Sequence, residues 1–124
     1  MNKKRPVYLD LTKMRMPTTA IVSILHRMSG LVLFLSIPYL LYLWLMSLSS
    51  AEGYDALQAA LHGGVTRYLV YIILLALLYH WVAGIRHLLM DIGIGEDKVS
   101  GRRGALLVLA ATVVLALLLG VWLW

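Results

Sequence analysis

Three long apolar runs separated by short polar stretches dominate the chain. No Asp, Glu, Lys or Arg occurs from Met28 to Ala51, from Tyr68 to Ile85 or from Ala105 to Trp124. With their flanks, these runs predict three helices over about residues 20–48, 65–90 and 104–124, each able to cross a hydrocarbon core about 30 Å thick. The first helix is expected to begin near Pro17 or Thr18, because proline suits a first helical turn. Pro38 removes one backbone hydrogen bond inside that span and predicts a mild kink, tolerated where neighbouring helices re-satisfy the freed carbonyl. Between the first two spans, Ser49, Ser50, Glu52, Gly53, Asp55, Gly63 and Gly64 surround a weak helical pattern of Leu57, Ala60 and Leu61. A short surface helix between turns is expected there. The second connector, about residues 91–103, mixes Asp91, Glu96, Asp97, Lys98, Arg102 and Arg103 with Gly93, Gly95 and Gly101. It reads as a polar loop. No internal repeat or low-complexity tract is visible.

Composition agrees with the pattern. The 124 residues are 61% hydrophobic and 14% charged, against about 45–50% and 25% in soluble domains. The expected fold is all-α: one integral membrane domain over residues 1–124, with three transmembrane helices. The absence of cysteine excludes disulfides, thiolate-held zinc or iron–sulfur clusters, and covalent haem attachment through a C-x-x-C-H motif. The formal charge of +5 does not form a basic stripe of the kind nucleic acid requires. It falls in two clusters: Lys3, Lys4, Arg5, Lys13 and Arg15 before the first span, and Arg86, Lys98, Arg102 and Arg103 around the second connector. The first connector offers only Arg67. The positive-inside rule therefore puts the N-terminal segment and second connector in the cytoplasm, and the first connector and C-terminus outside. Tyr42, Trp44, Tyr68, Tyr71, Trp122 and Trp124 fall at that outer interface, where aromatic residues collect. A cleaved signal is disfavoured, because the first apolar run exceeds the usual length and carries His26 and Arg27.

Ionisable groups inside a membrane are costly, so each one marks a candidate site. On the first span, Ser23, His26 and Arg27 share a helical face; on the second, His80, Gly84 and His87 do the same, with Arg86 alongside. His80 lies about 12 Å inside the second span's cytoplasmic end, and His26 enters from the same side to a comparable depth. A neutral imidazole among apolar neighbours is a suitable axial ligand for haem iron, and Gly84 leaves room for a flat macrocycle. Arg27 suits an anionic propionate, and Ser23 with Arg27 suits a quinone carbonyl. Plainer roles stand beside these: a hydrogen bond between helices for His80, snorkelling for Arg27, packing for Ser23. Arg86 and His87 fit headgroup or partner contacts at the boundary. His62 has no special context, and Met14, Met16, Met28 and Met46 lack a ligand spacing, so packing is preferred.

Three stretches carry a resemblance: Arg5-Pro6-Val7-Tyr8-Leu9-Asp10-Leu11, Ser23-Ile24-Leu25-His26-Arg27-Met28-Ser29-Gly30, and His80-Trp81-Val82-Ala83-Gly84-Ile85-Arg86-His87-Leu88-Leu89-Met90-Asp91. In composition, order and separation they resemble the cytochrome b membrane-anchor subunits of succinate dehydrogenase, respiratory complex II. The resemblance covers nearly the whole chain. It implies a bundle with a second small anchor subunit, carrying a flavoprotein and an iron–sulfur protein, in a bacterial inner membrane. It further implies that electrons from succinate reach ubiquinone at the junction of anchors and iron–sulfur protein. On this resemblance His80 is the axial ligand of a noncovalent haem b, His26 and Arg27 neighbour its propionates, and Ser23 and Arg27 belong to the quinone site. Asp91 falls where the family keeps an acidic residue near the quinone and iron–sulfur interface.

The third span contains no histidine, and His26, the only other histidine of comparable depth, adjoins Arg27 and is preferred near the propionates, so the other axial ligand is expected from a histidine of the partner anchor, coupling haem binding to assembly. The chain has no flavin or dinucleotide fingerprint and is not expected to oxidise succinate alone. A structural anchor or assembly subunit without haem, and the anchor of a related fumarate reductase, are the alternatives. A transporter protomer is disfavoured, because neither of the last two spans carries a buried acidic residue.

Overall fold

In a computed structural model the chain is described over residues 16–124; the Arg5–Leu11 stretch and the cations Lys3, Lys4, Arg5, Lys13 and Arg15 lie outside the described residues. Four helices follow one another: α1 (Thr18–Ser49), α2 (Ala51–His62), α3 (Gly64–Asp91) and α4 (Lys98–Leu123). Helices α1, α3 and α4 are long and apolar enough to cross a membrane. Their 32, 28 and 26 residues correspond to about 48, 42 and 39 Å of helix, so each extends past a core of about 30 Å. Helix α1 continues unbroken through Pro38.

The three long helices pack together, and α2 lies against α1 and α3 at one end. Only Ser50 separates α1 from α2. Its hydroxyl accepts the Gly53 N–H at 3.0 Å and so caps α2. Gly53 sits so close to the end of α1 that a Cβ there would lie 2.6 Å from the Met46 carbonyl oxygen.

At the opposite end the expected polar loop is shorter than the composition implies, covering residues 92–97 instead of 91–103. Asp97 starts α4 by accepting the N–H groups of Val99 and Ser100 at 3.0 and 2.9 Å, and the Ser100 hydroxyl also donates to it. Ser100's hydroxyl and backbone N–H hold the Asp97 carboxyl below the usual carboxylate range. The loop's sharp path passes through Gly93 and Gly95, whose φ values of 84° and 80° suit glycine alone among ordinary residues.

A small core forms where α1, α3 and α4 meet: Val22, Ala83, Ala105 and Val108 are buried, with Tyr79, Val82 and Leu109 around them. The seam is built of small residues, Ser29 and Ser36 on α1, Ala83 on α3, Gly101 and Ala105 on α4. Small side chains let helix backbones approach in a membrane, where packing replaces the hydrophobic drive. The Tyr79 hydroxyl donates to the Val22 carbonyl at 2.8 Å, and that of Tyr71 to the Ala116 carbonyl at 3.0 Å, tying α3 to both neighbours. Large apolar side chains such as Phe34, Leu45, Leu107 and Val121 face outward, as lipid or a partner helix requires.

Arg67 is drawn into the end of the bundle opposite the 92–97 loop. It donates to the Leu123 carbonyl and, at 3.2 Å, to the His62 carbonyl, while its guanidinium lies 4.5 Å from the Trp124 ring. Tyr68 and Tyr71 pack on the same tryptophan, each at 5.3 Å between ring centres. The clasp joins the start of α3 to the end of α4, so part of the aromatic belt is also an internal contact.

Candidate functional site

Three histidines from two helices meet toward the end of the bundle where α1 begins and α3 ends. The His26 ring of α1 stacks on the His80 ring of α3, with 4.1 Å between centres and 18° between planes. His87, two turns further along α3, meets His26 edge-on at 4.9 Å. A glycine on each helix faces the other helix's ring, and the approach at Gly30 is the close one. A Cβ on Gly30 would lie 3.0 Å from His80 Cε1, and one on Gly84 would lie 3.5 Å from His26 Nε2. Gly84, which the sequence reads as room for a flat macrocycle, lies against the His26 ring.

The hydrogen bonds around His80 determine which nitrogen carries its proton. The Ser29 hydroxyl donates to the His26 carbonyl at 2.7 Å, so its oxygen is left as an acceptor. His80 Nδ1 lies 3.0 Å from that oxygen and 3.1 Å from the His26 carbonyl oxygen. Both neighbours accept, so Nδ1 carries the hydrogen and Nε2 presents a lone pair. His80 Nε2 makes no hydrogen bond among the described residues, so its lone pair is uncommitted there. His26 Nε2, by contrast, is buried without a partner.

Ser23 is half-buried on α1, Arg27 is exposed beside His26, and Asp91 is exposed at the end of α3. The structure therefore brings His26, His80 and His87 together, leaves Arg27 and Asp91 at the chain's surface, and holds Ser23 half-buried apart from the ring cluster. Arg86 departs from its expected place at a headgroup or partner boundary. It is 8% exposed and donates to the Gly101 carbonyl at 3.1 Å. It follows Tyr79 and Ala83 along the face of α3 that meets the core shared with α1 and α4, turned about 100° from the histidine stripe. Its guanidinium serves the α3–α4 contact. The role of Ser29 was missed because a serine in an apolar span reads as packing until the partner helix is in place.

A haem group asks three things of a protein: an axial nitrogen with a free lone pair, apolar walls, and donors for its acidic edge. His80 Nε2 meets the first, the apolar helices α1 and α3 the second, and the exposed guanidinium of Arg27 the third. Among the described residues, no set of His, Asp or Glu converges on a point as a bare metal ion would need; the imidazoles stack instead. The residues fit a haem better than a simple ion.

Residues 1–119 match the family described as the succinate dehydrogenase/fumarate reductase transmembrane subunit. The chain belongs to that family. It is similar to the succinate dehydrogenase cytochrome b556 subunit of Coxiella burnetii, with 48% identity across the whole of both chains. The subunit of the same name from Paracoccus denitrificans is 35% identical over 92% of this chain and 88% of its own length. That from Rickettsia felis is 31% identical over 95% and 92%. Family membership gives the three apolar helices and their histidine seam a common setting: a transmembrane subunit of a larger respiratory enzyme.

Proposed function

We propose that this chain is the haem b-binding anchor of a succinate:quinone oxidoreductase and contributes part of its ubiquinone-reduction site. The observation that carries the reading is the hydrogen bonding of His80, whose Nδ1–H is engaged by two acceptors and whose Nε2 lone pair is left uncommitted, inside an apolar helix pair. When bound, haem supplies a one-electron relay. His80 would hold its iron from one side, and His26 and Arg27 would face its propionates. The second axial ligand would come from a histidine of a partner anchor subunit, since α4 carries none.

For the quinone, the Ser23 hydroxyl and the Arg27 guanidinium would donate to a carbonyl oxygen and stabilise negative charge arriving there. The exposure of Arg27 supports this role, because a quinone bound between subunits needs donors that the chain does not consume internally. Asp91, exposed at the end of α3, would lie on the side where an iron–sulfur subunit and a flavoprotein dock. Relatives from bacteria support a bacterial inner membrane, and the Lys and Arg distribution supports that end being cytoplasmic and the C-terminus periplasmic.

The test is a reduced-minus-oxidised spectrum of the complex purified through a tag on this chain. A b-type spectrum, with a second small membrane subunit and the two soluble subunits present, supports the reading. A complex of those subunits with no haem spectrum would overturn it.

A further inference from the structure

The hydrogen bonds behind His80 assign a task to a residue that neither chelates iron nor touches quinone. Ser29 is 8% exposed, and its hydroxyl lies at the centre of a small relay. It donates to the His26 carbonyl at 2.7 Å and stands 3.0 Å from His80 Nδ1 as an acceptor. The His26 carbonyl shares the same Nδ1–H at 3.1 Å. One turn of α1 thus supplies both acceptors to a ring on α3, while Gly30, next in sequence, leaves the space the ring occupies.

We infer that Ser29 is a positioning residue for the haem ligand: it fixes the tautomer and orientation of His80 and raises the electron donation of Nε2. The inference rests on His80 being the ligand. Its physical basis is general. A ligating imidazole whose other N–H is hydrogen-bonded is a stronger base toward the metal, and such outer partners are often as important as the ligand. Increased donation stabilises the oxidised, more positive iron and lowers the midpoint potential. Ser29 is well suited because its own proton is committed to the His26 carbonyl, so it cannot donate to Nδ1 and reverse the tautomer. The carbonyl alone would leave one longer contact to hold the ring.

The experiment compares Ser29→Ala and Ser29→Thr in the assembled complex by redox titration of the haem and by its low-spin electron paramagnetic resonance spectrum. Ser29→Ala should retain haem, since the His26 carbonyl persists, but shift the midpoint positive and move the g-values. Ser29→Thr, which keeps a hydroxyl, should return both toward the unmodified complex. A merely structural serine would change assembly or thermal stability and leave the potential in place.

A potential and resonance spectrum unchanged in Ser29→Ala would overturn the inference. If that variant does not assemble, Ser29→Val takes its place against Ser29→Thr, since the two differ chiefly by the hydroxyl; equal potentials there would likewise overturn it. His80→Ala separates the two levels. A normal haem spectrum in His80→Ala refutes the ligand assignment itself, whereas its loss together with an indifferent Ser29→Ala refutes only the role of Ser29.

Discussion

Two glycines face the histidines across the α1–α3 seam, and they have different room for a methyl group. A Cβ at Gly30 would press on His80 Cε1 at 3.0 Å, whereas one at Gly84 would meet His26 Nε2 at an ordinary 3.5 Å. Gly30→Ala should therefore displace the His80 ring and weaken haem binding by about 10- to 100-fold, the range seen when a ligand's support is disturbed. Gly84→Ala should retain haem, because alanine favours helix by about 1 kcal/mol and nothing must move. Haem content per mole of purified complex distinguishes the two. Equal loss in both would mean that the seam is filled differently from the arrangement described.

At this scale the sequence showed much of the site. Helical spacing placed His80, Gly84 and His87 on one stripe and Ser23, His26 and Arg27 on another. It could not show that Ser29 and Gly30 face His80, because the facing of two helices depends on their packing angle and rotation, which neither helix's own period contains.

At the scale of elements, the junction of α1 and α2 leaves no room for an added methyl group. Gly53 abuts the Met46 carbonyl, a backbone atom that cannot rotate away. Gly53→Ala should force α2 from its seat at a cost of about 1–3 kcal/mol, as overpacking does, despite the better helix propensity of alanine. Gly63→Ala is the control, since a Cβ there meets nothing within 4 Å. The thermal midpoint of the detergent-purified complex should fall in the first variant and hold in the second.

The long helices were legible from apolar run length, and the observed bounds of α1 and α3 lie close to the expected ones. The start of α4 was not. Gly101, Arg102, Arg103 and Gly104 look like loop in a linear reading, yet they form the first turns of α4. Asp97 caps those turns with Ser100, Arg86 donates to the Gly101 carbonyl, and Gly104 makes room beside Arg86. Glycine there serves close helix approach rather than chain reversal, and only the tertiary contact separates the two uses. The inward turn of Arg86 and the clasp of Arg67 on Trp124 were hidden for the same reason: charge at a span's end reads as interfacial until a neighbouring carbonyl claims it.

For the whole molecule, position in the membrane and position in the enzyme are linked. With the histidine end cytoplasmic, a reporter fused to the C-terminus should be active only if it works outside the cytoplasm; cytoplasmic activity would overturn the charge-based orientation. The same geometry puts Arg27 at the chain's surface beside the histidines. Arg27→Ala should lower succinate-dependent quinone reduction by about 10- to 100-fold, the equivalent of a lost charge-assisted hydrogen bond of about 1.5–3 kcal/mol. Reduction of an artificial dye by the soluble subunits should be preserved. Equal losses in both assays would indicate failed assembly rather than a lost quinone contact.

The central claim is that His80 holds haem iron through an Nε2 left free by the Ser29 and His26 acceptors. The most direct measurement is the dithionite-reduced-minus-oxidised spectrum of His80→Ala in complex whose subunits are shown to be present. The low-spin b-type signal should be lost or severely altered; an unchanged signal would contradict ligation by His80.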